Sequence, residues 1–272
     1  MKGIALGQYY PADSFLHRAD PRIKIILSVL FIVCSFLCKN LFSFALLALG
    51  SIILITIGKI PLRIVFRGLR PILIVLVLTS LLNILWTTGE RSLFSWWIIN
   101  IYVEGIFAAV FMVVRITSLV IGTTIFLTYT TTPIDLTDAI EDLLSPLKKL
   151  RVPVHEFAMM MTIALRFIPT LVEETDKIMT AQKARGVDFS NGSLIKRAKA
   201  LIPILIPLFV SAFNRASDLA TAMECRCYHG GEGRTRMKVR HLKPSDFVPL
   251  IVMAVFATAI VLLNFSGWIY TM

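Results

Sequence analysis

Cys225, Cys227 and His229 alternate within "TAMECRCYHGGEGRTR", residues Thr221 to Arg236. Thiolate and imidazole are the ligands zinc prefers, and a C-x-C pair is also a dithiol, so metal and redox chemistry come first. A closed tetrahedral site needs a fourth ligand, for which the neighbourhood offers only Glu224, Glu232 or His241. The other two cysteines, Cys34 and Cys38, fall in a distant apolar run. No metal is therefore assigned, and the two thiols read as small semi-apolar residues at a helix end. Catalytic patterns are also missing. The chain has no H-E-x-x-H, no G-x-S-x-G and no G-x-x-x-x-G-K-[ST], and His17, His155, His229 and His241 are scattered. An ATP-binding or enzymatic role is not expected, and no cofactor is implied.

The elements that carry this stretch belong to a membrane protein. Of 272 residues, 56% are hydrophobic, and the mean hydropathy is +0.77; soluble domains lie near ~45–50% apolar. Spanning helices need roughly 20 apolar residues. Five stretches qualify: Ile23–Cys38, Leu41–Ile57, Pro71–Trp86, Ile101–Tyr129 and Phe247–Phe265. The first residues, "MKGIALGQYYPADSFLHRADPRIK", lack an apolar run beside their basic residues, so no cleavable leader is expected.

The net charge of +11 follows from orientation. Apart from Lys39, Arg91 and Arg115, every one of the 28 Lys and Arg falls on one side of these spans. The positive-inside rule makes that side cytoplasmic, with the N-terminus inside and the C-terminus outside. The expected organisation is all-α and polytopic: four spans in 1–129, a cytoplasmic segment in 130–243, and a last span in 244–272. Cys225 and Cys227 then lie in a reducing compartment, where disulfides are rare.

Two apolar runs in the cytoplasmic segment, "FAMMMTIALRFIPTLV" and "ALIPILIPLFVSAF", are interrupted by Arg166 and by Pro203 and Pro207. They suit oblique helices at the membrane face. Each leads into a longer, more polar helix entered through proline, a favoured first-turn residue. Glu173, Glu174 and Asp176 lie early in the first, and Lys177, Lys183 and Arg185 late, which matches the helix dipole. Gly186 then supplies a stop. From Pro169 to Arg185 the rise is roughly 24 Å, and from Pro207 to Arg226 roughly 28 Å.

"TAQKAR" (Thr180 to Arg185) and "TAMECR" (Thr221 to Arg226) share T-A-x-x-x-R and close these two helices. Ala212, Ala216 and Ala220 form a small-residue stripe along which another helix backbone can approach. The two helices are therefore expected to cross in contact, with Arg185 and Arg226 at their ends. By residue type alone, each arginine either caps its own helix or reaches a partner.

The run "TTPIDLTDAIEDLLSPLKKLRVPVHEFAMMMTIALRFIPTLVEETDKIMTAQKARG" resembles the signature region of the transmembrane T component of energy-coupling factor (ECF) transporters, the EcfT family. Its most specific parts are "RFIPTL" and "AQKARG". The resemblance covers nearly the whole chain. It implies a non-catalytic subunit whose two long cytoplasmic coupling helices each end in an X-Arg-X motif that docks on one of two ABC-type ATPase subunits. Ala184-Arg185-Gly186 matches the usual Ala-Arg-Gly, whereas Cys225-Arg226-Cys227 keeps only the arginine. The resemblance also implies a membrane S component that captures a vitamin or similar micronutrient, and a plasma-membrane location. A T component dedicated to one substrate, such as biotin or a transition-metal ion, is the alternative. No nucleic-acid partner is implied.

Two features remain open at this level. Arg115 lies within a span, where a charge marks either a functional site or a bent helix facing an acidic partner on the coupling helices. "GKIPLRIVFRGLRP" places Arg63, Arg67 and Arg70 on one helical face and reads as an interfacial amphipathic turn.

Overall fold

The computed structural model describes residues 9–88, 92–96, 99–187, 189, 193–231 and 242–265. The chain divides into two compact units, one within Gly7–Leu136 and Arg240–Met272, the other within Thr137–Val239. Both are helical.

The first unit contains α1 (Phe15–Arg18), α2 (Pro21–Leu37), α3 (Leu41–Gly58), α4 (Leu62–Trp86), α5 (Val103–Thr123) and α9 (Val248–Phe265). A short antiparallel hairpin, β1 (Ser92–Trp96) with β2 (Ile99–Tyr102), precedes α5. The core lies between α2, α3, α5 and α9. Leu27, Phe31, Leu47, Phe111, Ile125 and Ile260 are buried there. Phe44 stacks on Phe111 with ring centroids 4.6 Å apart, the offset geometry aromatic pairs favour.

Five helices are long and apolar enough to cross a membrane: Leu41–Gly58, Leu62–Trp86, Val103–Tyr129, Ile195–Cys225 and Pro244–Phe265. Four of them contain or coincide with expected spans. The expected first span is α2, whose 17 residues rise only about 25 Å against a hydrocarbon core of about 30 Å. Ile23, Leu27, Phe31 and Cys34 of this helix are buried in the core, while its Val29, Val33 and Phe36 are exposed. Ile195–Cys225 meets the same length and apolarity, although the sequence reading placed it outside the bilayer.

The third span begins earlier than expected. α4 runs unbroken through Pro71 from Leu62, so Arg63, Arg67 and Arg70 occupy its first turns instead of a separate interfacial turn. A proline deletes one backbone donor and crowds the preceding turn, yet long apolar helices tolerate it because neighbours can satisfy the freed carbonyl.

α5 continues as a π-helical segment, Thr124–Tyr129. Widened turns of this kind re-aim side chains. Here the Tyr129 hydroxyl donates to the Ile64 carbonyl of α4 at 3.3 Å. A Cβ on Gly68 would stand 2.9 Å from that hydroxyl oxygen. Lys24, counted among the basic residues of one side, is buried; its Nζ donates to the Thr130 carbonyl at 2.8 Å and the His17 carbonyl at 3.3 Å.

Arg115 finds its partner within the first unit, at the end of α2. Its Nη2 donates at 3.0 Å to the carbonyl of Cys38, the C-cap of α2, and its guanidinium lies 5.1 Å from the Phe44 ring centroid. An arginine at a helix C-terminus meets both an open carbonyl and the negative end of the dipole. Near the same turn, Asn40 Nδ2 donates to the Leu263 carbonyl and Asn264 Nδ2 to the Leu37 carbonyl, at 3.2 and 2.6 Å, which fastens the α2–α3 turn to the end of α9.

The second unit holds the last part of α6 (Pro133–Leu143), then α7 (Val154–Ala184) and α8 (Leu194–Cys225). Both long helices differ from expectation in one respect. Pro169 lies inside α7, and Pro203 and Pro207 lie inside α8; the apolar runs and the polar helices that follow them are single helices. At 31 and 32 residues each rises about 47 Å.

Candidate functional site

The residues singled out by sequence lie at the C-termini of α7 and α8, and both ends have the same construction. After α7, Arg185 is the C-cap and Gly186 turns left-handed at φ +86°. The Gly186 N–H donates to the Lys183 carbonyl and the Val187 N–H to the Gln182 carbonyl, both at 3.0 Å. After α8, Arg226 is the C-cap and Cys227 turns left-handed at φ 55°. The Cys227 N–H donates to the Glu224 carbonyl at 2.8 Å and the Tyr228 N–H to the Met223 carbonyl at 3.1 Å. These paired bonds, six-to-one and five-to-two, define a Schellman stop.

The two ends thus share a backbone conformation although the residue after the arginine differs, Gly186 in one and Cys227 in the other. What the third position must supply is a left-handed backbone, which glycine adopts freely and cysteine only against a steric cost. At Gly186 a Cβ would meet nothing within 4 Å. Its glycine is therefore required by φ alone.

Ala184, Arg185, Gly186, Cys225, Arg226 and Cys227 are all exposed. Neither arginine has an ion pair among the described residues. Each guanidinium thus stands beyond a completed helix stop, with its backbone already satisfied and five donors left to offer. Cys225, Cys227 and His229 are exposed as well, and among the described residues no three His, Cys, Asp or Glu side chains group closely enough to hold a metal ion.

The packing of α7 on α8 fixes how far apart the two ends lie. Arg215 Nη2 donates to Glu174 Oε2 at 2.8 Å across the helix pair. The partners are 41 positions apart, the same interval that separates Arg185 from Arg226, so equivalent points of the two helices meet. Gln182, near the end of α7, donates to the carbonyl of Pro203, early in α8, at 3.5 Å. At the other end, a Cβ on Gly231, beyond α8, would fall 2.5 Å from the ring of His155, at the start of α7. The helices therefore run in opposite senses. With eleven residues from the ion pair to each arginine, the two guanidinium-bearing ends are separated by up to about 33 Å, less as the crossing angle opens.

The alanine stripe lies elsewhere than the sequence reading put it. Ala212 is half-buried, but Ala216 and Ala220 are exposed. The covered stripe of α8 consists of Ile204, Leu208, Ser211, Arg215, Leu219 and Met223. An ion pair and medium-sized apolar side chains make up this covered face.

Three further groups escaped the sequence reading. Glu174 and Arg215 were visible as charges but not as a pair; their common interval with the arginine motif was the available signal. Glu141 of α6, buried, accepts from His155 Nδ1 at 3.0 Å, with Lys148 Nζ at 3.9 Å. Gly231 is where the chain beyond Arg226 lies directly on His155. On α8 a large apolar surface, including Leu205, Ile206, Phe209 and Phe213, is exposed.

Comparison with known proteins bears on this arrangement directly. Residues 12–237 match the family model described as CbiQ, cobalt transport protein. The energy-coupling factor transporter transmembrane protein EcfT of Ruminiclostridium cellulolyticum is 51% identical over 97% of this chain and 98% of its own length. The chain belongs to the EcfT family. The EcfT of Clostridium kluyveri is also 51% identical, over 91% of this chain and 92% of its own, and that of Bacillus subtilis 48%, over 93% and 97%. As an EcfT family member, this chain is the transmembrane component of an energy-coupling factor transporter, a multi-pass membrane subunit that works with other components. Relatives that cover almost the full length place the paired helices inside the shared region.

Proposed function

We propose that this chain couples ATP hydrolysis by two ABC-type ATPase subunits to uptake of a vitamin or similar micronutrient held by a membrane S component. In this reading the second unit faces the cytoplasm, and Ala184-Arg185-Gly186 and Cys225-Arg226-Cys227 each dock into one ATPase. The observation that carries it is the pair of exposed arginines, each projecting beyond a Schellman stop at opposite ends of an antiparallel helix pair. Two ends up to about 33 Å apart suit two separate protein surfaces better than one. A planar guanidinium can bind a carboxylate through two parallel bonds or donate to backbone carbonyls in a groove.

The helix pair would transmit motion because it is braced along its length. The Arg215–Glu174 pair, the Gln182–Pro203 bond and the seat of Gly231 on His155 tie α7 to α8 at the middle and both ends. A displacement at either arginine would then move both helices together. The exposed apolar surface around Phe209 and Phe213 supports contact with a membrane partner, which we take to be the S component. The small residues Ala216 and Ala220, exposed on α8, would allow that partner close approach.

Truncating a buried, hydrogen-bonded interfacial arginine costs about 2–5 kcal/mol. Arg185→Ala and Arg226→Ala should each weaken recovery of one ATPase with the chain, and each should remove a different one. If both single variants retained both ATPases at wild-type yield, the docking role would be wrong.

A further inference from the structure

The membrane unit contains a second place built to hold something. Between α1, α2, α3 and α9 lies a cavity of about 220 Å³ with no polar residue in its lining. α2 contributes Leu27 and Phe31, α3 Leu49 and Ile53, and α9 Val252 and Phe256. Leu49 and Val252 are more than half exposed and Ile53 nearly half, so the cavity opens sideways between two helices that are apolar enough to span a membrane. Its position along those helices is defined too. It is lined by the late part of α3 and the early part of α9, with Phe15 of α1 beside them, so it lies in the half of the unit where α3 ends and α9 begins.

We propose that this cavity seats one acyl chain of an anionic phospholipid from that leaflet, which is the cytoplasmic one if the basic side of the chain faces inward. An apolar cavity of this size stays dry and accepts hydrocarbon; one of about 150 Å³ is enough for benzene. Filling it from a bilayer gains little transfer energy, because lipid tails are as apolar as leucine. Selectivity must then come from the headgroup.

The rim supplies that selectivity. α3 ends at Lys59, which turns left-handed at φ 52°, and the turn leading into α9 starts at Lys243. Both lysines are exposed, and neither has an ion pair among the described residues. The acidic groups nearby are engaged: Asp246 accepts from the Lys243 backbone N–H at 2.9 Å, and Asp13 faces Arg18 at 3.7 Å. Lys59 follows the lining residue Ile57 by two positions and Lys243 precedes the lining residue Val248 by five, so the chain ends that bound the slot carry ammonium groups suited to a phosphate-bearing headgroup above a hydrocarbon tail.

The test uses the full chain assembled with its transporter partners in nanodiscs. Phosphatidylglycerol or phosphatidylcholine carrying a diazirine on the acyl chain is the probe, and mass spectrometry maps the labelled peptides. The expected result is labelling confined to the pocket-facing parts of 46–57 and 248–256, saturable by unlabelled phosphatidylglycerol. Replacing Lys59 and Lys243 by alanine should lower the phosphatidylglycerol preference by roughly fivefold per lysine. Val252→Trp should abolish the saturable labelling; competition in the unaltered chain is decisive even if that variant does not accumulate. Labelling that is unsaturable and spread equally over exposed α4 residues such as Ile74 and Leu78 would overturn the proposal. So would pocket labelling seen only in the isolated chain, which would assign the slot to a protein partner. Saturable labelling indifferent to headgroup would overturn the anionic assignment.

Discussion

Replacing Cys227 by glycine should stabilise the end of α8, even though a side chain is lost. Cys227 stands at φ 55°, where a Cβ crowds the following carbonyl at a cost of about 1–2 kcal/mol. Glycine removes that cost but brings more unfolded-state entropy, about 0.5–1 kcal/mol. The exposed thiol forfeits little packing, so the net gain is about 1 kcal/mol for closing the Schellman turn. That corresponds to roughly fivefold slower exchange at the Tyr228 amide, which donates to the Met223 carbonyl, under conditions where local opening sets the rate. The mirror experiment is Gly186→Ala. With nothing within 4 Å of its Cβ, that variant should lose about the same amount, and the Val187 amide should exchange roughly fivefold faster. Cys225→Ala, in the last helical turn, should change Tyr228 exchange by less than either. Hydrogen exchange followed by mass spectrometry, corrected for intrinsic rates, reads all three. Unchanged or faster exchange at Tyr228 in Cys227→Gly would refute the claim that the two helix ends share one backbone requirement.

Gly231→Ala should destabilise the junction of α7 and α8 by about 1–3 kcal/mol, because its Cβ would fall 2.5 Å from the His155 ring. Adding His155→Ala should recover part of that loss, and a double-mutant cycle of proteolysis midpoints measures the coupling. Arg215→Ala and Glu174→Ala should each loosen the helix pair, with a coupling energy of about 0.5–1 kcal/mol once partial exposure is allowed for. Arg115→Met should lower the melting temperature of the detergent-solubilised chain. It removes a charged hydrogen bond to Cys38, about 1.5–3 kcal/mol, together with the stack on Phe44. Arg115→Lys should recover only part of the loss, because a point charge cannot both reach that carbonyl and cover the ring.

What the sequence made legible follows from signals that depend on single residue types. Apolar runs located α3, α5 and α9, and the T-A-x-x-x-R echo located both helix ends. Gly186 announced its own stop. Cys227 did not, because a left-handed cysteine has no compositional signature; its role emerges only from the hydrogen bonds around it. Prolines misled in the opposite direction. Pro71, Pro169 and Pro207 read as helix starts and Pro203 as a break, yet all four lie inside helices, where length and neighbouring contacts outweigh one missing donor. The small-residue stripe pointed to the wrong face of α8, since periodicity identifies a face without saying what covers it. Arg115 was flagged as unusual, but its partner is a backbone carbonyl, which no residue type reveals. The β1–β2 hairpin escaped notice because its strands are only five and four residues long and the last two residues of β2 also read as the start of a span.

The central claim is that Arg185 and Arg226 are the contacts through which ATPase subunits act on this membrane component. The most direct measurement is affinity purification of the Arg185→Ala/Arg226→Ala chain from membranes, with co-purifying chains identified and quantified against the unaltered protein. The account predicts that the double variant inserts at normal abundance and keeps its membrane partner, yet recovers neither ATPase subunit. Recovery of both ATPases at wild-type stoichiometry would contradict it.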